Sequence, residues 1–142
     1  MRRVRRPLAS AVLAALPLAL AVACGDGKDA YDRAAGFYTL TTVDGRALPT
    51  GIATVPGGGV FLQRGTMQLH ADGRFAMGLE QSFVGPATGE RYVFLNGRYA
   101  LTANDSTMTL TTEPDGQVLL GARTERRISV RMPLAQLGFE RP

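Results

Sequence analysis

The chain has 142 residues with 16 Lys and Arg against 12 Asp and Glu, a formal charge of +4, one Cys, one His and no Trp. Arg2, Arg3, Arg5 and Arg6 precede an N-terminal apolar run, so the remaining 12 basic and 12 acidic residues cancel and the basic balance gives no support to nucleic-acid binding. A single cysteine excludes an intrachain disulfide, and one Cys with one His excludes a zinc site built from those ligands alone.

From Leu8 to Ala23 the run is interrupted only by Ser10 and Pro17, the layout of an export signal. A retained transmembrane helix needs about 20 apolar residues, and this run is shorter and contains a proline. Leu20-Ala21-Val22-Ala23-Cys24 resembles the lipobox of bacterial lipoprotein signals, with Ala21 where that family usually has Leu. The resemblance implies cleavage before Cys24, a diacylglycerol on its sulfur and, with several chains on one residue, a firm membrane anchor. A plain secretory signal with an incidental cysteine is the rival reading. Gly25 follows Cys24 where an aspartate would hold an enteric lipoprotein at the inner membrane. The implied location is the bacterial cell envelope, at the outer membrane rather than the inner.

Residues 1–23 are therefore expected to be a signal peptide, which leaves 119 residues (142 minus 23), enough for one domain. Residues 24–35 are small and polar and are expected to form a flexible tether. The eleven residues after Cys24 span at most about 40 Å.

Residues 36–142 read as strands. Phe37-Tyr38-Thr39-Leu40-Thr41-Thr42-Val43 is aromatic, apolar and β-branched, and Asp44-Gly45 is a tight-turn pair. Leu48-Pro49 ends that hairpin, and Pro56-Gly57-Gly58-Gly59 predicts a flexible loop within residues 50–60. Met67, Leu69 and Ala71 then alternate with Thr66, Gln68 and His70, Asp72-Gly73 turns the chain, and Phe75, Met77 and Leu79 return. A polar loop at residues 82–90 leads to Arg91-Tyr92-Val93-Phe94-Leu95. Asn96-Gly97 reads equally as a turn or as a bulge in one long strand. Tyr99 and Leu101, Met108 and Leu110, Val118 to Leu120, and Ile128 with Val130 continue the pattern. Leu134 to Leu137 leaves room for one helical turn.

Eight or nine short strands with turns every 8 to 12 residues or so predict a sandwich or barrel. Hairpin-sized links favour a sequential meander, and closure removes both open edges. The expected fold is all-β, an antiparallel up-and-down barrel of about eight strands, with an open sandwich as the rival. The opening Gly36-Phe37-Tyr38-Thr39-Leu40, Asp44-Gly45 and Leu48-Pro49 resemble the start of small lipocalin-like bacterial lipoproteins, which implies a lipocalin-like barrel and a small hydrophobic ligand. A lesser resemblance, to META-domain envelope lipoproteins, rests on the same strand and on Asn96-Gly97-Arg98-Tyr99.

Little points to catalysis. His70 lies on a polar strand face, Asp72 and Glu80 read as a turn residue and an outward charge, and Gly57-Gly58-Gly59 lacks the Lys-Ser/Thr of a phosphate loop. No enzyme, cofactor, metal or nucleic-acid partner is expected, and the oligomeric state is left open. The inward set is rich in adaptable methionine. Tyr38, Leu40, Met67, Leu69, Phe75, Met77, Tyr99, Met108 and Ile128 are the candidate ligand-binding residues, and a filled barrel core is the alternative. Met132 shares the inward parity. Arg123, Arg126, Arg127 and Arg131 form a basic stripe that keeps a strand edge soluble or docks on anionic lipid. Two functions follow: an anchored barrel that binds a small apolar molecule, or an envelope protein-binding module, an inhibitor or assembly partner, that uses residues 50–60 and 82–90 in front of a solid core.

Overall fold

A computed structural model describes residues 26–86, 88–102 and 104–142, with the side chains of 26–28 left aside. The expected signal segment 1–23, the lipidation candidate Cys24 and Gly25 lie outside the described residues. One helix, α1 (Asp26–Ala34), precedes ten strands. They are β1 (Gly36–Val43), β2 (Arg46–Ala47), β3 (Thr50–Val55), β4 (Gly58–Leu69), β5 (Arg74–Val84), β6 (Gly89–Leu101), β7 (Thr107–Thr112), β8 (Val118–Arg123), β9 (Arg127–Arg131) and β10 (Gln136–Glu140).

The strands β4 to β10 run as an antiparallel meander, and β1 closes it by pairing with β10 on one side and β4 on the other. The result is a closed antiparallel barrel of eight strands, β1 and β4 to β10. The period-2 alternation is the cause. In β7 every second residue is buried, and Met67 faces Met77 across the β4–β5 ladder while Leu69 faces Phe75, so the apolar sides meet on the inside. The short β2 and β3 lie outside the ring, β2 beside β1 and β3 beside the first half of β4.

Several expectations are corrected. The flexible tether is folded over most of its length: residues 26–34 are helical. Its small, polar composition concealed that Ala30 and Ala34, one turn apart, are buried, with Tyr31 packed on the core. The glycine-rich loop is only a turn, because Thr50–Val55 and Gly58–Leu62 pair as a hairpin. Asn96-Gly97 is neither turn nor bulge. Gly97 sits opposite Phe75 on one side and Thr112 on the other, with unbroken register. Glycine is needed there because a Cβ would lie 2.0 Å from the Thr111 carbonyl oxygen. At Leu134 to Leu137 the chain enters β10 instead of making a helical turn. Glu80 lies on the outward face as expected, opposite the exposed Arg64 and Tyr92, but it is only 9% exposed because Arg64 pairs with it.

One end of the barrel is locked by a single side chain. Arg141 Nη2 donates to the carbonyl oxygens of Arg33, Ala34 and Ala35 at 3.2, 3.3 and 2.8 Å and lies 2.7 Å from the Tyr38 hydroxyl. The first two carbonyls belong to the last turn of α1 and the third to the residue that follows it, where acceptors lack partners within the helix and a cation is favoured. The guanidinium also lies 5.0 Å from the centre of the Tyr38 ring, a cation–π contact, and Tyr38 donates to Ala34 O at 2.7 Å. Gly36 makes room: a Cβ there would come within 3.0 to 3.3 Å of the guanidinium. Tyr31 packs tilted against Tyr99, with ring centres 5.2 Å apart, and Tyr99 donates to His70 O at 2.7 Å.

Two predictions follow from this end. Arg141→Met removes several charge-assisted hydrogen bonds at once and is expected to cost about 2 kcal/mol of unfolding free energy, measured by urea denaturation; Arg141→Lys, which lacks the planar fork, recovers only part. Burial pushes the Tyr99 phenol up to about 12. The folded state therefore keeps a proton that the unfolded chain releases from about pH 10. This contribution is whole below pH 10 and falls by up to about 1.4 kcal/mol per pH unit toward pH 12. Tyr99→Phe should flatten the decline in stability between pH 10 and 12; an unchanged slope would contradict the assignment.

Candidate functional site at the open end of the barrel

Antiparallel meanders place alternate turns at opposite ends. The turns after β4, β6 and β8 gather with α1 and Arg141 at the locked end, where Arg33 also bridges to Asp105 at 2.7 Å. The turns after β5, β7 and β9 gather at the other end. No helix covers that end among the described residues.

The nine candidate ligand-binding residues are brought together, all inside the barrel. Tyr38, Leu40, Met67, Leu69, Phe75, Met77, Tyr99, Met108 and Ile128 keep 0 to 4% of their surface and belong to one packed cluster. A ligand-sized void would leave accessible area on the side chains around it. Residual exposure this low means that these residues pack against each other.

Space opens higher up. A notch of about 160 Å³ is lined by Ile52, Leu62, Leu79, Gln81 and Leu137, with the β9–β10 turn from Met132 to Ala135 on its far side. It is almost wholly apolar, but sites for small molecules usually run to roughly 300 to 1,000 Å³. Met132 reaches this notch and is only half-buried.

The open end is asymmetric because strand lengths differ. β4, β5 and β6 have 12, 11 and 13 residues, whereas β7 to β10 have five or six. The surplus stands above the rim as a ribbon, with β3 added along β4. Pairing of Gly59 with Val84 sets the β3–β4 turn beside the β5–β6 turn, so residues 50–60 and 82–90 form one surface. Gln63 donates to Ser82 Oγ at 2.6 Å across this ribbon, and Arg64 pairs with Glu80 beside the β4 register shift. The hydrogen bond from Arg64 to the adjacent Glu80 carboxylate raises the pKa of the Arg64 guanidinium.

Five of the eight large apolar side chains exposed among the described residues, Val55, Val84, Tyr92, Phe94 and Leu134, lie on this ribbon or on the turn facing it. Sequence reasoning missed Phe94 and Leu134 as surface groups. The signal for Phe94 was the run Tyr92 to Leu95, apolar on both faces, which in a one-walled barrel must leave one face outward.

Other marked residues play structural parts. His70 lines a polar pocket of about 350 Å³ with Arg74, Asn96, Arg98 and Glu113, and its backbone holds the β4–β5 turn. Asp72 accepts from the Arg74 backbone N–H and side chain, which lowers its pKa. In the basic stripe, Arg127 pairs with Glu140 on the neighbouring strand and Arg123 reaches Asp105 O at 3.4 Å. Arg126 and Arg131 are exposed. No group of His, Cys, Asp and Glu that could hold a metal ion occurs among the described residues.

No family model matches the chain, and no curated protein or solved structure matches it either.

The packing of the interior has a direct test. Met67→Ala should destabilise the protein by about 2 to 5 kcal/mol in urea titrations, as the deletion of a packed core side chain does. Leu134→Asp, at a position 72% exposed, should change stability by less than about 0.5 kcal/mol. A Met67→Ala protein of unaltered stability would indicate a hollow barrel.

Proposed function

We propose that this protein is an envelope protein-binding module: a solid barrel, held at a membrane through an N-terminal lipid, that presents the ribbon β3 to β6 and the β9–β10 turn to a partner protein. The observation that carries this reading is the contrast between the two ends of the molecule. The nine inward residues keep almost no free surface, while Val55, Val84, Tyr92, Phe94 and Leu134 expose apolar area around the open rim. An excess of exposed apolar side chains at one end of a small domain points to an interaction surface there.

The expected anchor fits the same orientation. Cys24 stands two residues before α1, which begins at Asp26 and packs on the locked end. An acyl group there would hold the locked end near the bilayer and direct the open rim away from it. Binding of a small apolar molecule is the second reading, favoured by the apolar notch beside Leu62 and Leu137, and it is confined to the rim.

The test is site-specific photo-crosslinking in cells. Probes at Val84 and Leu134 should give one discrete protein adduct that a probe at Thr109, exposed on the side wall, does not give, and Leu134→Asp should abolish the Val84 adduct. The same adducts from all three positions, or none, would defeat the reading. A stoichiometric apolar compound extracted from the purified protein would favour the second. Cys24→Ser should move the protein out of the membrane fraction if the anchor is as proposed.

A further inference from the structure

β6 is paired along most of its length with β5 but only near its C-terminal end with β7. Its ladder with β5 runs from Gly89 to Arg98, whereas its ladder with β7 covers Gly97 to Leu101. Residues 89–95 therefore project past the end of β7, and among the described residues no strand lies along that edge.

Backbone parity shows which groups the edge offers. Tyr99 N–H donates to Gly73 O on the β5 side, and Glu113 N–H donates to Asn96 O on the β7 side. In a strand the N–H and C=O of one residue point the same way and successive residues alternate. The N–H and C=O groups of Glu90, Tyr92 and Phe94 thus face outward along the open edge, three donors and three acceptors in line. Their side chains are exposed, Tyr92 to 54% and Phe94 to 78%.

Natural edges of this length are usually blunted by proline, lysine, a bulge or a covering segment. Residues 89–96 contain neither proline nor lysine, their two charges, Glu90 and Arg91, sit together at one end, and the β5–β6 register has no shift there. We propose that this edge is a strand-addition site: an extended segment of a partner protein pairs antiparallel with residues 90–95 and continues the ribbon β3–β4–β5–β6 by one strand. The proposal rests on the protein-binding reading and deepens it by naming the kind of partner.

The edge also states the sequence it prefers. Directly opposed residues share a face and interact. The incoming strand therefore carries apolar or β-branched residues opposite Tyr92, Val93, Phe94 and Leu95, an acidic residue opposite Arg91 and a basic one opposite Glu90. A second copy of this chain fits less well. Two-fold pairing centred on Arg91 sets that arginine against itself, and centred on Tyr92 it sets Glu90 against Phe94. Centred on Val93, it turns the two locked ends, and any lipid anchors beside them, in opposite directions.

The experiment uses the full-length protein and a fluorescein-labelled peptide, acetyl-Val-Tyr-Ile-Thr-Glu-Lys-amide, whose residues fall in that order opposite Leu95 to Glu90. Saturable binding is expected by fluorescence anisotropy. Exchanging Glu and Lys in the peptide should weaken it about tenfold, from like charges at two opposed positions. N-methylation of the peptide Tyr, whose N–H must reach Phe94 O, should abolish binding; N-methylation of the Ile, whose N–H points away, should not. Phe94→Pro removes an edge donor without touching the β5 ladder, so it should lose the peptide while far-UV circular dichroism and thermal unfolding stay close to wild type. Phe94→Lys, at the same exposed position, serves as a second variant.

Absence of binding, equal affinity for the charge-exchanged peptide, or retained binding in both Phe94 variants would overturn the proposal. So would a wild-type dimer that Phe94→Lys dissociates, since the edge would then belong to a second copy. Failure of the broader reading looks different. Peptide binding without any protein adduct from Val84 or Leu134 leaves the edge and removes the rim interface; adducts unaffected by Phe94→Pro do the reverse.

Discussion

Closure of the sheet at β1 is the constraint on which the rest of the structure depends. β1 is held by hydrogen bonds to β4 along its first half and to β10 along its second, so the first and last strands of the domain meet. Arg141 fastens that seam by tying the last turn of α1 to Tyr38. Without this join the meander would have two open edges and its apolar face would be covered on one side only. Because the contacts across the seam join residues about 100 positions apart in sequence, closure must overcome a large loop entropy, and one multidentate cation at a helix terminus is an economical way to hold it.

Closure also explains why the two ends differ. At the locked end, α1, Tyr31, Tyr99 and Arg141 fill the mouth. At the other end the long strands β4, β5 and β6 outrun their shorter neighbours by about six residues, or roughly 20 Å at strand rise. Apolar residues on the surplus have no facing wall beyond Leu62, Leu79 and Leu137 and remain partly exposed. The same mismatch leaves the open edge of β6. Rim, notch and edge are thus three consequences of one difference in strand length.

Much of this fold was legible in residue order. Alternation at Met67 to Leu69, Phe75 to Leu79, Met108 to Leu110 and Ile128 to Val130 places those side chains inward, whereas Ala71, read on the same face, is exposed because the strand has already ended in the β4–β5 turn, and Asp72-Gly73 and Pro114-Asp115-Gly116 mark turns where turns occur. α1 was not legible, because a nine-residue helix with a mean composition as polar as Asp26–Ala34 is marginal by propensity and forms by packing Ala30, Tyr31 and Ala34 against the barrel mouth. β3 and the first half of β4 were not legible either, since glycine-rich hairpins read as loops until a long-range partner, here β5, holds them. Asn96-Gly97 has the signature of a hairpin turn, yet its neighbours on both sides kept it extended.

Local chemistry by itself determined the period of the strands, the inward set and the absence of a disulfide, because each depends on side-chain type at fixed spacing along one chain. Whether that inward set encloses a space or fills it was left to the tertiary structure, since both barrels share the same alternation and differ only in how closely opposite walls approach. Which strand edge is left unpaired was decided there too. It depends on where β7 stops beside β6, and strand overlap is a property of two segments in register that neither segment encodes alone.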